Sequence, residues 1–373
     1  MALEGAKVRL RASIVGLAIG LGLCTRLLAG CGDDDCSNPS ENTLGELTAW
    51  EQGFLAGPTI ESPPPGFLEA EDGLGLAYHD WVPGSWDGSG PVVLLVPGSS
   101  AYAELYAALG QGLRERGVLA RIIDVRGHGR STCNPQGACG EPPHPAPDDD
   151  RYYRGRPGDS LDEDQIIRDL ARHVADLRAR WPAARRLVIS GHSSGGGVVS
   201  RYVETGGLAA VGSVALLAPF NHFAQPQNVD ASDQLCAGTA GTLYAQLDLG
   251  ALGDAMRGNR HRYVLSFVKE PELTTELDTL RYSYTTMLGM AADDPDDFLA
   301  AYAEPTLWIA AERDALLDLE ESRAQFERMP GGGAFVVAQD TSHVGLSWSD
   351  PVAELLARWA TEPSSVESGT LRR

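Results

Sequence analysis

Positive charge is in short supply in this chain, where 30 Lys and Arg stand against 51 Asp and Glu for a formal net charge of −21. A surface so acidic repels phosphate backbones, which argues against a nucleic-acid partner. Internal repeats are lacking as well. Gly and Pro are plentiful but follow no period, so a solenoid or a propeller of repeated blades is not indicated. Cysteines are few: of six, Cys24 and Cys31 sit near the amino terminus, leaving Cys36, Cys133, Cys139 and Cys236. What is present is size. With 373 residues and 43% apolar content, the chain can bury the core of one large globular domain, or of one domain carrying an insertion.

The amino terminus reads as an export signal. Lys7, Arg9 and Arg11 precede the apolar run Ala12–Leu23, which is too short for a comfortable membrane span, and small residues follow at Ala29 and Gly30. Leu28-Ala29-Gly30-Cys31 resembles the lipobox of bacterial lipoproteins, with Arg26 as a departure from that pattern. The expectation is an export signal over 1–30 and acylation of Cys31. That would tether the protein to the cell envelope; a secreted or periplasmic form is the alternative. The polar, turn-rich stretch that follows makes 31–62 a tether. In an oxidising compartment the four remaining cysteines can pair in three ways. Cys133 and Cys139 flank the loop NPQGA, which makes a local bridge the expected pairing.

From Pro63 onward strand and helix signals alternate. GFLEAEDGLGLAYHDWVP reads as a hairpin around Asp72-Gly73, and PVVLLVPG as a strand buried on both faces. Further strands are expected in VLARIIDV, RLVIS, VGSVALLAP, PTLWIAAE and AFVVAQD. DEDQIIRDLARHVADLRARW and DPVAELLARWA have helical spacing. The alternation implies an α/β fold with a mostly parallel sheet and right-handed crossovers, over 63–220 and 304–362. Residues 133–160 read as a long surface loop and 363–373 as a polar tail. Residues 221–303 show helical patterns and no convincing strand, which predicts a helical lid inserted between core strands.

Gly191-His192-Ser193-Ser194-Gly195 fits G-x-S-x-G between a strand and a helix, the context that gives the motif its meaning. Ser193 is the serine in frame; Ser194 would need glycine where His192 stands, and Ser190 where Val188 stands. The glycines at 191 and 195 let chain segments approach a sharp turn that lifts a hydroxyl clear of the sheet. The amide of Ser194 then opens a helix, where developing negative charge is favoured. A serine needs a base. His343, between the last strand and the last helix, lies where loops gather at the sheet's carboxyl edge. His192 is expected to pack beside the elbow and His128 to hold a turn, while His173 falls mid-helix. His222 opens the insertion, and His79, His144 and His261 have no evident partner. The carboxylate that orients the base is read as Asp314, past the strand PTLWIAA, with Glu312, Asp318 and Asp340 as rivals. Glu312 is too near its strand and Asp318 looks helical. A second oxyanion donor is expected from the amide of Ser99, after Gly98.

With these residues in place, the chain resembles the α/β-hydrolase superfamily. It is most similar to bacterial hydrolases grouped with monoacylglycerol lipases, lysophospholipases and serine-aminopeptidase-type domains. VPGSS, DVRGHGRS, GHSSGGG, LLAPF, PTLWIAAERDALL and DTSHVG carry the resemblance, from about Pro63 to Trp359. It implies Ser193 as nucleophile, His343 as base, Asp314 as acid and the Ser99 and Ser194 amides as oxyanion donors, beneath a helical lid. Pro97 replaces the histidine usual before the oxyanion glycine, altering the pocket's entrance. The expected activity is hydrolysis of small-molecule or lipid esters through an acyl-enzyme, with no metal and no cofactor. Amide hydrolysis of the aminopeptidase type, with Glu270, Glu272 and Glu276 offered to a substrate ammonium, is the close alternative. A non-catalytic binding protein is the remaining one.

Overall fold

A computed structural model describes residues 47–132, 150–222, 243–269, 274–294 and 298–372. The export signal, Cys31 and the Cys133–Cys139 pair all lie outside the described residues. Among the described residues no helix is long and apolar enough to cross a membrane.

The core strands are β1 (Gly66–Glu69), β2 (Gly75–Trp81), β3 (Pro91–Val96), β4 (Leu119–Ile123), β5 (Arg186–His192) and β6 (Ser213–Leu217). Three more follow the insertion's own strands β7 (Leu243–Leu247), β8 (Tyr263–Lys269) and β9 (Arg281–Ser283); these are β10 (Thr306–Arg313), β11 (Gly333–Ser342) and β12 (Gly369–Leu371). The nine core strands make one sheet in the order β1-β2-β4-β3-β5-β6-β10-β11-β12. Pairing is antiparallel for β1 with β2 and β2 with β4, and parallel from β4 to β12. The sheet is parallel where β3, β5, β10 and β11 lie, so their carboxyl ends and the loops that follow them share one edge.

Helices cover both faces. On Gln165–Arg180 the buried side chains Ile166, Ile167, Leu170, Val174 and Leu177 recur at helical spacing and pack on one face of the sheet. Ala107–Glu115 and Asp350–Thr361 bury Leu109, Leu113, Val352, Leu356 and Trp359 against the other. A strand such as PVVLLV, buried along its whole length, is stable only in such a sandwich. Burying each of its large side chains contributes about 1.5–3 kcal/mol.

Four expectations need correction. The insertion is not all helical: β7, β8 and β9 form a three-stranded antiparallel sheet, with the short helix Leu249–Met256 between β7 and β8 and another, Tyr284–Gly289, after β9. YVLSFVK is rich in β-branched and aromatic residues, and that local preference outweighs the helical spacing around it. The stretch 31–62 is not a tether throughout, because Ala49–Leu55 is a helix with a complete Thr48–Glu51 capping box. The 363–373 segment is not merely a tail, since β12 pairs with β11 in parallel at the sheet's edge. Finally, the end of the supposed surface loop is internal. Arg156 and Asp159 are buried and ion-paired at 2.8 Å, and the Arg156 guanidinium lies over the Tyr263 ring of the insertion.

Candidate active site

Four loops at the carboxyl edge of the sheet build the site. The first is the turn from β5 into the helix Ser194–Glu204. Ser193 sits there with φ 53° and ψ −127°, a left-handed conformation that a non-glycine residue adopts at a cost of about 1–3 kcal/mol. Its amide bonds the Leu217 carbonyl of β6 at 3.0 Å, and its carbonyl accepts the Gly196 and Phe220 amides, each at 2.8 Å. These bonds hold the strained turn. The glycines around it are fixed by space. A Cβ on Gly191 would run into the Gly195 carbonyl, one on Gly195 into the Val96 carbonyl, and one on Gly98 would stand 2.9 Å from the Ser193 Cβ. Gly is about 1 kcal/mol worse than Ala inside a helix, so this helix start gives up propensity for close approach.

The three serines of the motif are now distinguished by position. Ser190 lies within β5 with its hydroxyl buried and unbonded among the described residues. The Ser194 hydroxyl accepts from the Ser99 hydroxyl at 2.9 Å. Ser193 occupies the turn itself and is 9% exposed.

The second loop follows β11 and carries His343. The third follows β10, where a bulge between Ala311 and Arg313 re-aims the chain just before Asp314. The two meet: His343 Nδ1 donates to Asp314 Oδ2 at 2.8 Å, with both side chains almost wholly buried. Asp314 is held in turn, its Oδ1 accepting the amides of Leu316 at 2.9 Å and Leu317 at 3.0 Å. A carboxylate bound to Nδ1–H fixes the tautomer whose Nε2 is free to accept a proton. That Nε2 is buried and has no hydrogen-bond partner among the described residues. The rivals to Asp314 are engaged elsewhere. Glu312 accepts the Asp340 amide, Asp318 caps the helix Leu319–Glu327, and exposed Asp340 faces Arg313.

His192 links the elbow to the base. Its ring lies 4.9 Å from the His343 ring between centroids, and its Nε2 is 2.9 Å from the His343 carbonyl. A carbonyl can only accept, so Nε2 carries the proton and Nδ1 accepts from the Tyr106 hydroxyl at 2.7 Å. The same hydroxyl oxygen accepts the Gly98 amide at 2.9 Å. Burial, assisted by neighbouring His343, lowers the His192 pKa to about 3, so it stays neutral and serves as a spacer.

The fourth loop, after β3, carries Gly98, Ser99 and Ser100. Ser100 has φ 58° and donates its amide to the Tyr282 hydroxyl at 2.8 Å. Tyr282 belongs to β9 of the insertion, and its hydroxyl donates in turn to His128 Nε2 at 2.6 Å. His128 is fixed the other way round, with Nδ1–H on the Arg126 carbonyl at 3.0 Å and its pKa lowered by burial to about 4. The amide of Ser194 opens a helix and has no acceptor within it.

Sequence reasoning named Ser193, Asp314, His343, Ser99 and Ser194, and the structure gathers all five at one edge. It missed Tyr106 and Tyr282, which fix the loop after β3. The only signal for Tyr282 was an aromatic run in the insertion, which also suits ordinary packing. Among the described residues no group of three or more His, Cys, Asp or Glu side chains could hold a metal ion.

Comparison with known proteins agrees with the fold. The family model described as serine aminopeptidase, S33, matches residues 89–344. Among solved structures, the chain resembles a soluble variant of monoglyceride lipase from Saccharomyces cerevisiae in complex with a substrate analogue. The two are 15% identical with a TM-score of 0.56, over 81% of this chain and 96% of that one. It also resembles DcsB in complex with its substrate analogue, at 17% identity and TM-score 0.53, over 80% and 99%. An esterase from Exiguobacterium antarcticum gives 16% identity and TM-score 0.50, over 80% and 99%. No curated protein matches the chain.

Proposed function

Since the chain belongs to the serine aminopeptidase family of α/β hydrolases, we propose that it is a serine hydrolase acting on carboxylic esters, with Ser193, His343 and Asp314 as its triad. Ser193 Oγ attacks the ester carbonyl carbon while its proton passes to His343 Nε2, and Asp314 stabilises the resulting imidazolium. The Ser99 and Ser194 amides take the negative oxygen of the tetrahedral intermediate. Collapse expels the alcohol, which leaves with the proton from Nε2, and an acyl-enzyme remains. Water then attacks, giving its proton to Nε2. The carboxylic acid departs and Ser193 recovers its hydrogen.

The observation that carries this reading is the His343 ring, bonded through Nδ1 to a buried carboxylate, with a buried Nε2 unengaged among the described residues and its ring 4.9 Å from that of His192, the neighbour of Ser193. For the substrate we favour an ester with an apolar acyl group. Partly exposed apolar residues adjoin the site residues along the chain or through a backbone bond: Phe220, whose amide bonds the Ser193 carbonyl, Leu316 beyond Asp314, and Ala101 beyond Ser99.

An aminopeptidase-type amide hydrolase is the second reading, favoured by the description of the matched family. Of the acidic residues it would use, Glu276 is exposed, while Glu270 and Glu272 lie outside the described residues. Purified protein should hydrolyse p-nitrophenyl esters of increasing acyl length faster than aminoacyl p-nitroanilides, and Ser193→Ala should abolish both. Full activity in Ser193→Ala would overturn the hydrolase reading, and a preference for the anilides would move it to the amide class.

A further inference from the structure

The helix Ala49–Leu55 precedes the residues matched by the family model and belongs to a stretch that composition alone makes a tether. Its side chains reach the loop that carries His343 at several points. Glu51 is fully buried. Its Oε1 accepts both the Ser342 amide at 2.8 Å and the Ser342 hydroxyl at 2.9 Å. Its Oε2 accepts the Thr48 amide at 2.7 Å. The Ser342 hydroxyl oxygen then accepts the Gly345 amide at 3.2 Å, so the bonded groups bracket His343 from both sides. There is no space for a side chain at 345, where a Cβ would overlap Glu51 Oε1. On either side, Trp50 Nε1–H donates to the Asp340 carbonyl at 2.7 Å, and Phe54 stacks on Trp348 with centroids 5.3 Å apart.

A buried carboxylate is costly unless its oxygens are satisfied, and capping its own helix occupies only one of the two here. The other oxygen is given to the residue immediately before His343. We propose that Glu51 is a positioning residue for His343, and that the helix Ala49–Leu55 is a working part of the site; this rests on the reading of His343 as the base. Asp314 holds the imidazole through its side chain and His192 holds the His343 carbonyl, while Glu51 anchors the backbone that brings the ring toward Ser193. Without it the loop loses two bonds to one oxygen, and the ring can move relative to the serine it must deprotonate.

The test uses the full chain with Glu51→Gln and Glu51→Ala, measured as p-nitrophenyl ester turnover per active site titrated to completion with a fluorophosphonate. In Glu51→Ala, kcat per titrated site should fall roughly 10–100-fold while KM stays nearly constant, as expected for a misplaced catalytic group. Glu51→Gln, which keeps one acceptor oxygen, should fall in between. A role in folding alone would lower the thermal midpoint and the number of titratable sites but leave kcat per site unchanged, and that result would overturn the proposal. Should Glu51→Ala fail to fold, Ser342→Ala and Trp50→Phe take its place, the first deleting the hydroxyl's bonds to Glu51 and the Gly345 amide, the second the bond to the Asp340 carbonyl. Lower kcat per site in both supports the proposal, and wild-type values in both defeat it. Ser193→Ala is assayed alongside. Activity retained there sinks the hydrolase reading itself, whereas an inactive Ser193→Ala with unaffected Glu51 variants sinks only the role of Glu51.

Discussion

His343 is held through three different kinds of contact: a carboxylate on Nδ1, a neutral imidazole on its carbonyl, and a loop anchored one residue upstream. The first was legible in the sequence because triad chemistry dictates residue type and chain order, and Asp314 and His343 follow successive core strands. The second was half legible, since His192 stands inside the motif, but its partner Tyr106 depends on how a helix start folds back over the sheet. The carboxylate contact leads to a sharp expectation. Asp314→Asn should preserve the fold yet lower kcat by about 10⁴-fold, because an amide no longer selects the tautomer with a free Nε2; steady-state kinetics beside a circular dichroism spectrum checks it. Tyr106→Phe should act differently. It leaves the buried His192 Nδ1 and the Gly98 amide without their partner, and each orphaned group costs about 1–3 kcal/mol. Urea unfolding should show the lost stability, and an unchanged midpoint would mean that both groups find other partners.

At the scale of elements, the core strands were readable because a strand buried on both faces must be apolar throughout, as β3 is. The insertion was misread for the opposite reason. β9 has only three residues and β8 is surrounded by stretches of helical spacing, so only their pairing settles the matter. That sheet brings the Tyr282 hydroxyl to the Ser100 amide, so the insertion helps to hold the loop after β3. The helix after the elbow carries the clearest elemental prediction. Gly195→Ala would push a methyl group into the Val96 carbonyl, and such overpacking costs about 1–3 kcal/mol. The variant should melt earlier and react slowly with a fluorophosphonate; a wild-type rate would show that the turn can move aside.

For the whole molecule, pH sets two opposing trends in stability. Burial lowers the pKa of His128 to about 4 and of His173 and His192 to about 3, so the folded state lacks protons that the unfolded chain binds below 6.5. Stability should therefore fall as pH drops through that window, by up to about 1.4 kcal/mol per pH unit for each histidine. Glu204 works the other way. Burial pushes its pKa up to about 7 despite the hydrogen bond from the Asp293 amide, so the folded state keeps a proton that the unfolded chain loses above 4.5. Its contribution declines as pH rises from 4.5 to 7, and Glu204→Gln should gain on the wild type over that range in thermal melts. None of this was visible in composition, which records charge but not burial. The proposed reactivity of Ser193 also belongs to the folded whole, because the four loops around it converge only there. Mass spectrometry of the folded and the urea-unfolded chain after fluorophosphonate treatment tests it most directly. One adduct, on Ser193, is expected in the folded chain and none in the unfolded one. An adduct on Ser190 or Ser194, or no adduct at all, would contradict it.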